Sequence, residues 1–273
     1  MLFAVLFVLP TVALAGSAEW VQIVKKHPAN RELWEFQPDQ PLANSGNNPV
    51  SMLGNWNRRA NDGEVLGDGF LPGSGAILLG TRLEEGWPSG LESAEPILLA
   101  KEVTFEFLFR LEECPENPEY HNLIGWSWLE RGQFAPLGFD GNTQTFLSAF
   151  GIGDIERRFL RWNIQPKPGH WIYAAVVVEF LDPREARVQV FAADLTAGDK
   201  AAREVVPISR HSIDVDDFLN AGTHLRIGAD GFVRAGGQRN VNAFPFLLDA
   251  LAITHSALTE EDLNVRLSAL LKR

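Results

Sequence analysis

The sequence is poor in the residue types from which most catalytic and metal centres are built. Its 273 residues include one cysteine, Cys114, so no intramolecular disulfide forms and the fold must rest on its apolar core. Cys114 lies in Glu112-Glu113-Cys114-Pro115-Glu116, where the carboxylates are expected to raise the thiol pKa and make it a poor nucleophile. The six histidines, His27, His121, His170, His211, His224 and His255, are scattered without a second His or Cys at zinc-ligand spacing. No Gly-x-Ser-x-Gly elbow is present to support a serine nucleophile. Positive charge is also in deficit, with 24 Lys and Arg against 35 Asp and Glu, a formal charge of −11. Nucleic-acid binding needs a basic stripe that displaces counterions from phosphates, so this balance argues against it and against adsorption to anionic lipid. There is no internal repeat, low-complexity tract or block of like charge.

Long apolar runs are missing except at the start. Leu2 to Val12 is almost wholly apolar and is followed by the small-x-small site Ala13-Leu14-Ala15, the pattern of a secretory signal peptide cleaved after Ala15. The run falls short of the roughly 20 residues of a membrane helix, so no span is expected after cleavage. The expectation is a secreted, periplasmic or cell-surface protein, with residues 16–273 as one domain. A positive n-region is lacking, and a buried N-terminal strand is the alternative reading.

What the chain does have is strand pattern. Gly169 to Phe191 carries two arms rich in β-branched and aromatic residues around Asp182-Pro183-Arg184, which predicts a hairpin buried on at least one side. In Val103 to Leu111 the odd positions are apolar and the even ones mostly polar, which predicts a half-buried strand with Phe105, Phe107 and Phe109 on one face. Further strands are expected at Leu33–Phe36, Ala76–Leu79, Leu123–Leu129, Thr145–Phe150, Phe159–Ile164 and Phe246–Thr254, with Trp20–Val24 a short strand or helical turn. The period then changes. Thr259 is a helix N-cap followed by acids, and Leu263, Leu267, Leu270 and Leu271 form one apolar side, predicting a short helix docked on the sandwich rim. Many short strands with one terminal helix indicate an all-β, two-sheet antiparallel β-sandwich, or jelly roll.

Several stretches in order strengthen this: Leu33-Trp34-Glu35-Phe36, the Asn44-Ser45-Gly46-Asn47 turn, Gly169-His170-Trp171 leading into Ala174-Ala175-Val176, and Leu248 to Ile253 before Ala257-Leu258-Thr259-Glu260-Glu261-Asp262-Leu263. Together they resemble the concanavalin A-like lectin/glucanase superfamily, in its LamG-like branch, over roughly Leu33 to Leu263. Two positions depart from that family: Asp194 is followed by Leu195 in place of glycine, and His255 stands where a tyrosine is usual.

Glucanases of the superfamily carry paired acids on one strand, a pattern that Asp154-Ile155-Glu156 approaches only as a solvated turn, and the motifs of its polysaccharide lyases are absent. No catalytic residue is therefore assigned. Relatives of this fold carry a structural calcium, and by resemblance Asn44 and Asp249 are candidate ligands. Read from the residues alone, Asn44 shapes a turn and Asp249 accepts backbone hydrogen bonds at a strand start. The remaining signal is aromatic. Trp126, Trp128, Trp162, Trp171 and Tyr173 form either a sugar-stacking platform, with Arg161 and Asn163 as donors, or part of the core. The expected function is a non-catalytic module that binds a glycan. The alternatives are a hydrolase or lyase of the same superfamily, and a structural or protein-interaction domain of the envelope with an extracellular protein as partner.

Overall fold

A computed structural model describes residues 15–37, 40, 42–47, 52–54, 64–66, 69–70, 74–80, 90–114, 120–128, 132–151, 158–182, 185–212, 224–228, 230–233, 239–242 and 245–272. The apolar N-terminal run, the Asp154–Glu156 acids and the Pro183-Arg184 turn lie outside them. The chain enters through helix α1 (Ala15–Lys26), so Trp20 to Val24 is helical, and continues through β1 (Asn30–Trp34), β2 (Met52–Gly54), β3 (Glu64–Leu66), β4 (Ala76–Leu79) and β5 (Leu91–Ser93). The long strands follow: β6 (Glu102–Leu111), β7 (Tyr120–Trp128), β8 (Gly132–Asp140), β9 (Thr145–Gly151), β10 (Arg158–Arg161), β11 (Trp171–Asp182), β12 (Glu185–Asp194) and β13 (Arg203–Ser212). Short β14 (Arg226–Ile227), β15 (Asp230–Val233) and β16 (Arg239–Asn242) precede β17 (Phe246–Thr254) and helix α2 (Glu260–Leu270).

These elements make a two-sheet antiparallel sandwich. The larger sheet runs β13-β12-β11-β6-β17-β4-β3, with β1 beside the second half of β17. The smaller runs β10-β9-β8-β7-β14-β5-β2, and β15 and β16 form a separate hairpin next to β7. The predicted hairpin is β11–β12, in register from Ile172↔Asp194 to Phe180↔Ala186. Its alternation puts Ile172, Ala174, Val176 and Val178 between the sheets, against Phe105, Phe107 and Phe109 of β6. The smaller sheet supplies Phe134, Phe139, Phe146 and Phe150 to the same layer. Phe134 packs 5.5 Å from Phe105 and 5.2 Å from Phe150 by ring centroid, so aromatic edges and faces interlock across the sandwich. The Asn163 N–H donates to the Val205 carbonyl (2.9 Å) and ties the β10 end of one sheet to the β13 edge of the other.

Two expectations need correction. Strand β6 is not half-buried: Thr104, Glu106 and Leu108, on its second face, are as inaccessible as its phenylalanines. The reason is a third layer. Helices α1 and α2 lie across the outer face of the larger sheet, not at the rim, and bury Trp20, Val24, Leu263, Leu267 and Leu270 against Tyr173, Ala175, Val177, Ala250 and Ala252. The alanines keep that face shallow enough for helices to approach. Helix α2 starts as its sequence predicts, with a reciprocal capping box: the Asp262 N–H donates to Thr259 Oγ1 (3.2 Å) and the Thr259 N–H to Asp262 Oδ2 (3.0 Å). Cys114 does have a raised pKa, but burial is what disfavours its thiolate, not the neighbouring acids.

Candidate functional site

The sequence-derived candidates separate into three layers. Trp162 lies between the sheets, 3 % exposed, and its indole N–H donates to Ser148 Oγ (3.1 Å). Trp171 and Tyr173 are on the other side of the larger sheet, in the layer covered by the helices. Trp171 packs edge-on to Phe70 (6.2 Å), with the Arg110 guanidinium 5.2 Å from its ring centre. The Tyr173 hydroxyl donates to Glu106 Oε1 (2.7 Å), and Arg266 of α2 pairs with the other oxygen of the same carboxylate. Burial foremost, then the Glu106 charge and hydrogen bond, push the Tyr173 phenol pKa well above its ordinary value. These three aromatics do core work. Trp126 and Trp128 are in β7, opposite Phe134 and Gly132; their side chains lie outside the described set. Arg161 and Asn163 are exposed.

Asn44 and Asp249 lie in separate hydrogen-bond networks. Asn44 Oδ1 accepts the N–H groups of Leu33 (3.0 Å) and Gly46 (2.7 Å), and its amide donates to Glu32. The turn is thereby clasped along β1 so tightly that a Cβ on Gly46 would sit 2.2 Å from the Arg31 carbonyl oxygen. Asp249 is not at a strand start but at a bulge in mid-β17, where Oδ2 accepts the Phe70 N–H (2.7 Å) and the Ser74 hydroxyl (3.0 Å). Among the described residues no three His, Cys, Asp or Glu side chains gather to hold a metal.

A different set does converge, on the outer face of the smaller sheet, which neither helix covers. Register fixes it: Asn122 of β7 pairs with Gly138 of β8, Gly138 with Leu147 of β9, and Leu147 with Arg161 of β10. One step along, Tyr120 pairs with Asp140 and Asp140 with Thr145. Cross-strand partners share a face, so these side chains form two adjoining rows. Ala135, Leu147 and Ala149 make a small apolar floor, roofed by the half-buried rings of Tyr120 and Phe159, 5.0 Å apart at 49°. Gly138 leaves room for this roof; a Cβ there would lie 3.0 Å from the Tyr120 ring and hydroxyl. The Tyr120 hydroxyl bonds Asn122 Oδ1.

Charge borders the rings. Arg161 sends Nη2 (2.8 Å) and Nε (3.2 Å) to one oxygen, Asp140 Oδ2, and Nε also approaches Thr143 Oγ1 (3.3 Å). The other oxygen of Asp140 accepts the Asn142 N–H (2.9 Å), which shapes the 140–145 turn. Half of the Arg161 side chain stays exposed, against a tenth of Asp140. Burial favours protonation of Asp140, but the hydrogen bonds from Arg161, Thr143 and the turn backbone outweigh it and hold its carboxyl below the usual range. The face therefore offers an aromatic surface beside a fixed guanidinium, a carboxylate and the exposed side chains of Asn142 and Thr143. Sequence reasoning found only Arg161 of this set. The alternation of Tyr120 with Asn122 and of Gly138 with Asp140 was the available signal, but it becomes a site only once the strand register is known.

No protein-family model and no curated protein matches the sequence. Solved structures match the fold. A receptor binding domain superposes with a TM-score of 0.60 at 8 % identity, covering 93 % of this chain and 53 % of its own. The binding domain of botulinum neurotoxin DC, solved with rat synaptotagmin II, gives 0.58 at 8 % identity over 89 % and 52 %. A structure of botulinum neurotoxin type C, whose cell entry depends on interaction with two ganglioside molecules, gives 0.58 at 8 % over 92 % and 53 %. The chain spans about half the length of these structures, and at such identity the likeness is one of fold: this protein shares their β-sandwich.

Proposed function

We propose that the protein is an exported, non-catalytic binding module that takes a glycan on the outer face of its smaller sheet. The observation that carries this reading is the pair of half-buried rings, Tyr120 and Phe159, set beside the Arg161–Asp140 pair on a sheet face that neither helix covers. Sugar rings lay C–H faces on aromatic rings and exchange hydrogen bonds with polar groups at the edge, and this face offers both. The fold neighbours support the reading at the level of architecture, since one depends on gangliosides for cell entry. The order of strand and helix motifs supports membership of the concanavalin A-like, LamG-type sandwiches, and the apolar N-terminal run supports export. A protein ligand is the second reading, favoured by the neighbour solved with synaptotagmin II.

The test is to incubate the purified protein with a panel of immobilised polysaccharides, measuring depletion from solution and release of reducing ends. Depletion without release is expected. Release of sugar ends contradicts the non-catalytic assignment, and absence of depletion across the panel contradicts the glycan assignment and leaves the protein ligand.

A further inference from the structure

We infer that the ligand of the smaller sheet's outer face is an uncharged saccharide, read through its hydroxyl groups, and not a uronic or sialic acid; this rests on the glycan-binding reading above. Three observations lead there. First, the Arg161 guanidinium is already compensated. A carboxylate is best gripped by two parallel N–H groups along one edge of a guanidinium, and the Nε–Nη2 edge of Arg161 is taken by Asp140. An acidic sugar would have to displace Asp140 or bind beside it, against a group held ionised by its own hydrogen bonds.

Second, the surroundings are negative or balanced. Among the described side chains on this face the cations Arg161 and Arg226 are each paired with an acid, Asp140 (2.8 Å) and Glu92 (2.9 Å), in a chain of net charge −11. Such a field raises the concentration of nothing anionic. Third, the exposed polar groups suit hydroxyls. Nη1 of Arg161 has no protein partner among the described residues, and Asn142 and Thr143 are exposed alongside. A sugar hydroxyl both donates and accepts, so neighbouring hydroxyls can use a guanidinium N–H and the acceptor oxygen of an amide or hydroxyl together, whereas a carboxylate can use donors only.

The experiment compares depletion isotherms of the whole protein at pH 7 on neutral polysaccharides (galactomannan, β-glucan) and acidic ones (polygalacturonate, a sialylated glycan), at low and high NaCl. Binding to a neutral polymer, little changed by salt and weakened on the order of tenfold or more in Arg161→Gln, is expected. Preferential binding to an acidic polymer that salt abolishes overturns the inference while leaving the glycan reading in place. No binding to any polymer overturns both. Neutral binding indifferent to both Arg161→Gln and Tyr120→Ala, in variants that melt cooperatively, overturns the site. Asp140→Asn sharpens the charge argument: freeing the guanidinium is expected to raise polygalacturonate binding at least tenfold, and an unchanged affinity in a folded variant contradicts it.

Discussion

Outside the larger sheet, Glu106, Tyr173 and Arg266 are sealed beneath two helices; outside the smaller one, Asp140, Tyr120 and Arg161 make a chemically similar trio that stays at the surface. Both trios hold an acid, a phenol and a guanidinium, and their environments give them different work. Arg266 is 2 % exposed and spends its charge on Glu106, locking α2 to β6 through the layer of alanines and leucines. Its Nη2 has no hydrogen-bond partner among the described residues, so the network is a fastening with an energetic cost and no access for a ligand. Arg161 is half exposed, and Tyr120 beside Asp140 is half-buried at the edge of an aromatic pair. What separates the structural latch from the proposed recognition surface here is cover.

The comparison can be broken by removing one member at a time. Arg266→Met strands a buried carboxylate and is expected to cost about 3–5 kcal/mol in denaturant unfolding, with Glu106→Gln added to it restoring much of the loss. Equal stability of the single variant and the wild type would contradict the latch. Tyr120→Ala uncovers Ala135, Leu147 and Ala149 and is expected to cost about 1–2 kcal/mol while abolishing glycan depletion; a variant that unfolds without losing ligand when folded places the site elsewhere. Thr259→Ala removes the cap that starts α2 and is expected to cost about 1 kcal/mol with ligand depletion unchanged, as seen by circular dichroism melting beside the binding assay.

Asp140 gives a smaller, pH-dependent signal. Its folded pKa is depressed, so its stabilisation is fully present above the usual carboxylate value of about 4 and is lost as the pH falls through the lower folded value. The gap in unfolding free energy between wild type and Arg161→Gln, under about 1 kcal/mol at pH 7, should close over that acidic range; a gap that widens there contradicts the pairing. The smallest expected effect is that of chelation. Asn44 Oδ1 and Asp249 Oδ2 already accept N–H and O–H donors, so melting with EDTA should match melting with calcium, and a shift of several degrees would support a structural cation.

Much of the fold was legible because strand signals are local. The β11–β12 hairpin, β17 from Phe246 to Thr254 and the Thr259 cap all read directly from residue period and type. The helical layer was not, because α1 shows as Trp20, Val21 and Val24 in a short polar stretch that suits either period. Without that layer β6 reads as half-buried, and Glu106 as a surface acid. The site was the least legible part. Trp162, Trp171 and Tyr173 drew notice as large aromatics, yet large aromatics serve cores as readily as platforms, and all three are buried. Asp140 and Arg161 are 21 residues apart and meet only because β8, β9 and β10 align them, a juxtaposition that no local spacing encodes.

The sequence contains two tyrosines, one on each outer face, and this makes the central claim directly measurable. Tetranitromethane nitrates accessible phenolates, so the protein would be treated with and without a saturating glycan and its nitrotyrosine located by peptide mass. Cover over the larger sheet and a binding face on the smaller predict modification at Tyr120, none at Tyr173, and loss of the Tyr120 signal when ligand is bound. Modification of Tyr173 in the folded protein, or of Tyr120 to the same extent with ligand bound as without, would contradict the account.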